Sequence, residues 1–164
     1  MTELEELEAQ RVELTARIQR LREEEERRPT RLLVAGVHLH LFPKERYAGS
    51  ILDDAGNIIY HLVVMAARPN KHLSWSEADA WAVSIGGGLP SLRECSLIHA
   101  NCSQHLRPVL YWTSERWTGD VSEVNSQKAE CMNIRNGSQS VLNTGSNYLA
   151  AIAVRRVYTV GEAA

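Results

Sequence analysis

From residue 2 to residue 28 an apolar side chain returns every three or four positions, at Leu4, Leu7, Leu14, Ile18 and Leu21. That spacing lines all five along one stripe of an α-helix, and Arg11 fills the one position that breaks the series. Three heptads make a short coiled coil, which is marginal as an isolated helix. Two arrangements satisfy the stripe: self-association, or a single amphipathic helix lying on the rest of the protein. Self-association as a trimer or dimer is the expectation, although in a parallel alignment Arg17 and Arg22 face each other at flanking positions, which counts against the dimer. Pro29 closes the helix. Residues 1–29 are thus expected as a helical coiled-coil oligomerisation segment and residues 30–164 as a second domain.

Beyond Pro29 the period changes to that of strands. RLLVAGVHLHLF alternates near its end, and RYAGSILDD and NIIYHLVVM flank a turn in which Asp54, Ala55 and Gly56 suit a hairpin connection. Two helices are expected next. Ser74 with Glu77 forms an S-x-x-E capping box, so the first begins near Trp75, and Ala78, Trp81, Ala82 and Ile85 mark its buried face. Gly86 suits the left-handed residue that ends it. After Pro90, Ser91 with Glu94 forms a second box that opens a helix running to about Cys102. Short strands return in VLYWTSERW, KAECMNIR, SQSVLN and YLAAIAVRRV, with Asn136-Gly137 reading as a two-residue hairpin turn. Strands, then helices together, then strands again define an α+β class rather than a parallel α/β sheet.

Composition narrows the function classes. Of 164 residues, 18 are Lys or Arg and 20 are Asp or Glu, a net charge of −2 that leaves no basic footprint for nucleic acid. No run is apolar enough to insert in a membrane, and the acidic N-terminus does not read as a signal peptide. An odd cysteine count (Cys95, Cys102 and Cys131) without such a signal points to reduced, buried thiols. Cys95 and Cys102 lie too far apart along one helix to be bridged.

The glycine run GGGLPS before a helix raises the question of a phosphate cradle. A P-loop or dinucleotide loop places its glycines after a strand; here they follow a helix, no lysine is present, and Pro90 removes an amide. The run is expected to be a corner between helices. His38 and His40 share one face of a strand, and His61 could complete a zinc set, but no fourth ligand is evident; both are expected on the solvent side, with Val37, Leu39 and Leu41 inward. No G-x-S-x-G elbow or H-E-x-x-H motif occurs, and Cys131 has no second thiol beside it, so no enzyme activity is expected.

The segments LSWSEADAWAVSIGGGLPSLRECSLIHAN, YWTSE and AVRRV, in that order, resemble a C-type-lectin-like domain found in phage and prophage proteins of unassigned function. In that group a tryptophan-led helix runs into G-G-x-L-P-[TS]-x-x-E, then Y-W-[ST]-S-E, then a terminal A-V-R-R-[VL]. YAGSILDDAGNIIYHLVVM is similar to the group's opening hairpin. The resemblance covers roughly residues 46 to 158. Leu92 stands where the group usually has arginine, and the stretch after YWTSE is polar and Asn-rich where the group is aromatic-rich. The resemblance implies two helices against small antiparallel sheets, with the N- and C-terminal strands paired and variable loops on one face. It also implies a tail-associated or host-recognition role, in the virion or the bacterial host cytoplasm. An intracellular assembly factor, or an inhibitor of a host protein, is the alternative. Calcium-binding lectins use E-P-N and W-N-D motifs; neither occurs, so a calcium-independent domain without cofactor is expected.

Five of the eight asparagines fall between 125 and 147. Asn, Ser and aromatic side chains give adaptable contacts on a rigid scaffold. A protein or surface-glycan ligand is therefore expected to meet Trp117, Asp120, Asn125, Gln127, Asn133, Arg135, Asn136, Ser138, Asn143 and Asn147. The plainer reading is that Asn and Gly here make turns. Trp112 is expected in the core and Trp117 on the surface. Arg155 and Arg156 point to opposite faces of a strand, and the covered one needs a carboxylate, for which Glu94 is the candidate.

Overall fold

A computed structural model describes residues 1–117 and 127–159. The leucine-striped segment is helix α1 (Glu3–Arg27). A capping box that the sequence reading did not single out starts it: Thr2 accepts from the Glu5 amide, and the Glu5 carboxylate accepts from the Thr2 amide. None of its residues is buried, so Leu4, Leu7, Leu14, Ile18 and Leu21 all face solvent.

RLLVAGVHLHLF folds as two strands. β1 (Thr30–Val34) and β2 (Val37–Leu41) pair antiparallel. Ala35 and Gly36 between them take φ of +47° and +79°, the two left-handed residues of a tight hairpin turn. An alternating pattern does not announce this break, because a left-handed alanine carries no signal of its own. Along β2, His38 and His40 are exposed while Leu39 and Leu41 are buried, the alternation the pattern predicts. Residues 1–43 form one unit and residues 44–164 a second.

The second unit is mixed α+β. It contains β3 (Arg46–Leu52), β4 (Ile58–Val64), helices α2 (Trp75–Ser84) and α3 (Leu92–Cys102), then β5 (Leu110–Arg116), β6 (Lys128–Asn133), β7 (Gln139–Asn143) and β8 (Val154–Tyr158). They make two antiparallel sheets, ordered β3-β4-β8 and β5-β6-β7. The last strand pairs with β4, the second strand of its sheet, and not with the first as the resemblance implies. Two apolar clusters hold the unit. One gathers Leu62, Cys95, Ile98, Tyr111 and Ile152 around α3; the other gathers Ala78, Ala82, Leu89, Trp112 and Cys131 around α2. Trp112 is 0% exposed and donates its indole N–H to Leu73 O at 2.8 Å, a buried tryptophan with its one donor satisfied. Trp81 and Ile85 are only half-buried at the margin of this cluster.

Both predicted capping boxes are formed, Ser74 with Glu77 and Ser91 with Glu94. Gly86 takes φ +83° just past α2, where a left-handed residue satisfies the helix's last carbonyls. The middle glycine is required by something else. A Cβ at Gly87 would lie 2.5 Å from Met65 Sδ and 2.8 Å from the backbone oxygen of Val154. Beside it, Gly88 and Val154 exchange both backbone hydrogen bonds, at 3.0 and 2.9 Å. The glycine run is therefore a corner at which β8 passes against the backbone. Gly87→Ala is expected to lower stability by about 1–3 kcal/mol, the usual cost of overpacking, seen as a lower urea midpoint at unchanged m-value.

The remaining motif segments meet at the same corner. The Ser114 amide donates to Pro90 O at 2.9 Å, and the Glu115 carboxylate accepts from the Leu92 amide at 3.0 Å, at the start of α3. Glu94, 1% exposed, has both oxygens engaged. Oε1 accepts from Tyr60 Oη at 2.6 Å and Arg156 Nε at 2.7 Å; Oε2 accepts from the Ser91 amide and Arg156 Nη2, both at 2.8 Å. Arg155 is not left to solvent: its guanidinium reaches the buried Glu45 carboxylate at 2.7 Å. Both arginines are paired, one on each face of the sheet.

Candidate functional site

The described members of the predicted ligand set fall at the two ends of the β5-β6-β7 sheet. β6 separates them by about 16 Å, from its residue count and the usual strand rise. At one end lie Asn133, Arg135, Asn136 and Ser138; at the other lie Trp117, Gln127, Asn143 and Asn147. Asp120 and Asn125 are outside the described residues.

The first end is a turn built by its own asparagines. Asn133 pairs with Ser138 across the backbone at 2.8 Å, so the connection runs through residues 134–137 and is longer than the two-residue turn that Asn136-Gly137 predicts. The reason is Ile134, which turns inward to 0% exposure and ends the strand at Asn133. The Asn133 and Asn136 side chains accept from the Arg135 and Ser138 amides at 3.1 and 2.9 Å. Asparagine serves here in the local hydrogen bonds that favour it in turns. The turn rests on α3, with Gly137 beside the His99 ring and His99 Nδ1 bonded to Ile134 O.

The second end collects aromatic rings and cations. Between Trp112 and Arg116 the pairing with β6 shifts register, because β5 carries extra residues there. Thr113 Oγ1 fills the irregularity, donating to Glu130 O at 2.8 Å. A bulge re-aims the side chains beyond it. The Arg116 guanidinium lies 4.4 Å from the Trp75 ring and donates to Gln127 Oε1 at 2.8 Å. Trp75 is itself held by its indole N–H, which donates to Thr113 O at 2.8 Å. Trp117 is 37% exposed, and the Lys128 ammonium sits 5.5 Å from its ring. The Trp75 amide meets Thr144 O, which brings the 143–148 turn to this end with Tyr148 exposed. Asn143 and Asn147 again close that turn, Asn143 accepting from the Gly145 and Ser146 amides and Asn147 donating to Asn143 O.

One acceptor here is shielded and idle. Glu130 shares a face of β6 with Lys128, and its Oε2 is buried with no hydrogen-bond partner among the described residues. Alternation alone does not reveal the Trp75–Arg116 stack, because the register shift between Trp112 and Arg116 changes the face that Arg116 takes. The consecutive burial of Tyr111, Trp112 and Thr113 is the structural trace of that shift.

Other candidate chemistry is accounted for in place. Burial pushes the Cys131 thiol up to about 11 and raises Cys95 and Cys102, so all three stay protonated and unreactive. His61 is 0% exposed, and burial lowers its pKa, keeping the ring neutral. Its Nδ1 lies 3.0 Å from Ser50 Oγ and 3.1 Å from Tyr47 Oη, a nucleophile–base spacing. No partner engages Nε2 among the described residues, so the pair lacks the third group that orients such a base. No group of three or more His, Cys, Asp or Glu side chains is arranged to hold a metal ion among the described residues. Among the same residues, no helix is long and apolar enough to cross a membrane. Compared with protein-family models and with curated proteins, the chain matches none.

Proposed function

We propose that the chain is a phage or prophage ligand-binding protein, a C-type-lectin-like domain carried on a short coiled coil and displaying one polar end of its central sheet. Its role is tail-associated or in host recognition, and its ligand is a protein or a surface glycan. The scaffold reading is supported by the way the resembling segments meet, with GGGLPS, YWTSE and AVRRV hydrogen-bonded around Pro90, Leu92 and Glu94. The observation that carries the binding reading is the second end of the sheet, where Lys128 lies against the exposed Trp117 ring, Arg116 stacks on Trp75, Tyr148 is exposed, and Glu130, on the Lys128 face of β6, keeps a buried oxygen without a partner among the described residues. An exposed ring beside a cation, with a shielded acceptor on the cation's strand face, suits stacking with polar recognition, the pattern of binding hot spots. Asn133, Arg135, Asn136 and Ser138 are left out of this surface.

The test is capture of bacterial envelope and cytosolic fractions by the full chain and its variants. Trp117→Ala with Lys128→Gln is expected to weaken envelope capture about thirtyfold, equivalent to the ~2 kcal/mol of a tryptophan hot spot. Asn136→Ala, at the opposite end, leaves it within about twofold. Undiminished capture by the Trp117 variant overturns the assignment. Capture from cytosol alone favours an assembly factor or host-protein inhibitor instead.

A further inference from the structure

The segment joining β4 to α2 and the 3-10 turn after α3 enclose a cleft of about 270 Å³. Its exposed side chains are Arg68, Lys71, His105 and Arg107, and behind them lie the buried Tyr111 and Ala150. Among the described residues, no aspartate or glutamate lines it. In a chain with 20 acidic residues against 18 basic, a lining whose charged side chains are Arg68, Lys71 and Arg107 runs against composition. Among the described residues, no carboxylate pairs with Lys71, His105 or Arg107. Lys71 does feel the charge of Glu77, but that carboxylate is engaged by the Ser74 amide. Drawing like charges together raises the energy of the empty fold, and an anion between them reverses the sign of that term.

The geometry of the cleft is held from within. Arg68 Nη1 donates to Met65 O and Ala67 O, which fixes its guanidinium to its own loop. The Arg107 amide donates to Tyr111 Oη at 3.2 Å, tying the turn that presents His105 and Arg107 to the start of β5. Trp117 follows the far end of that strand, so this cleft is separate from the aromatic surface. Its volume is at the lower limit of small-molecule pockets, enough for one charged head group and a small ring, not a polymer.

We propose that this cleft binds a small ligand through a tetrahedral oxyanion, a phosphate or sulfate group held by Arg68, Lys71, His105 and Arg107. Guanidinium and ammonium donors lining one cleft suit such an anion better than a planar carboxylate. The assignment is independent of the Trp117 surface.

Calorimetric titration of the full chain with inorganic phosphate, sulfate and acetate, at constant ionic strength, tests it. Saturable binding of phosphate or sulfate is expected, with the tighter of the two naming the source of the anion and acetate clearly weaker. Lys71→Gln with Arg107→Gln is expected to weaken it by about tenfold or more, as loss of charge-assisted hydrogen bonds requires. Arg46→Gln, an exposed arginine outside the cleft, leaves it unchanged. Three results would overturn the proposal: no saturable binding of phosphate or sulfate, acetate binding as tightly, or full affinity in the double variant. Circular dichroism of each variant separates lost binding from lost fold.

Discussion

Glu94→Ala is expected to cost the second unit about 3 kcal/mol, at the low end of the range for breaking a buried ion pair, and to lower Tm by roughly 10 °C. The cause is the number of donors left behind. Arg156 gives Nε and Nη2 to this carboxylate, Tyr60 gives its hydroxyl, and Ser91 gives the amide of the capping box. Removing the acceptor strands all four on groups folded around a side chain that is 1% exposed. The Arg156 side chain retains 28% exposure, so water relieves part of that loss, which sets the low end of the range. The pH dependence follows with a definite sign. Burial raises the pKa of Glu94, but hydrogen bonds from Arg156, Tyr60 and Ser91 outweigh it and leave the pKa lowered. A depressed carboxylate contributes its full stability above its unfolded pKa, and that contribution is lost as pH falls through the folded value. Denaturation midpoints measured from neutral pH downward should fall for the native chain in this acid window. In Glu94→Gln they should be lower at neutral pH and flatter below it. Equal slopes in the two proteins contradict the role given to this carboxylate. A charge swap provides a geometric check, since Arg156→Glu should be partly rescued by Glu94→Arg.

The second large effect concerns α1. Replacing Leu14 and Ile18 with glutamate is expected to convert a trimer or dimer to a monomer in sedimentation equilibrium. It should also remove much of the helical circular dichroism contributed by residues 3–27. α1 buries none of its side chains, although an apolar stripe runs its length. Most helical stability in proteins comes from packing an amphipathic face, and we propose that for the 25-residue α1 packing between copies supplies it. Each buried leucine or isoleucine adds about 1.5–3 kcal/mol to association, which a charge at the seam reverses. A native chain that sediments as a monomer contradicts the coiled coil outright. Loss of the oligomer also lowers capture on a repetitive surface, because linked sites bind with an effective concentration that single copies lack.

The legible features were the local ones. Ser74 with Glu77 and Ser91 with Glu94 announce helix starts because a capping box is complete within four residues. The pairing of Glu94 with an arginine of AVRRV was legible because a strand exposes two faces and a covered arginine demands a carboxylate. Glu45 was not, since nothing local marks a glutamate near a strand's start as the partner of Arg155, 110 positions away. Gly87 was read as part of a corner, but the need for glycine there comes from the approach of Val154, which only the fold supplies. The candidate site was half legible. Trp117, Gln127, Asn143 and Asn147 were found by composition, while the register shift in β5 hid the face that Arg116 takes, and nothing local marks Trp75 on α2 or Lys128 on β6 as members of this end. Asn133 and Asn136 carried the same compositional signal for a different reason, as turn formers.

The central claim, that one end of the β5-β6-β7 sheet is the binding surface, is tested most directly by backbone hydrogen exchange of the full chain with and without the captured envelope fraction. Binding is predicted to protect amides at residues 115–117, 127–130 and 143–148, and to leave those at 134–138 unchanged. Protection confined to 134–138, or none at either end, would contradict it.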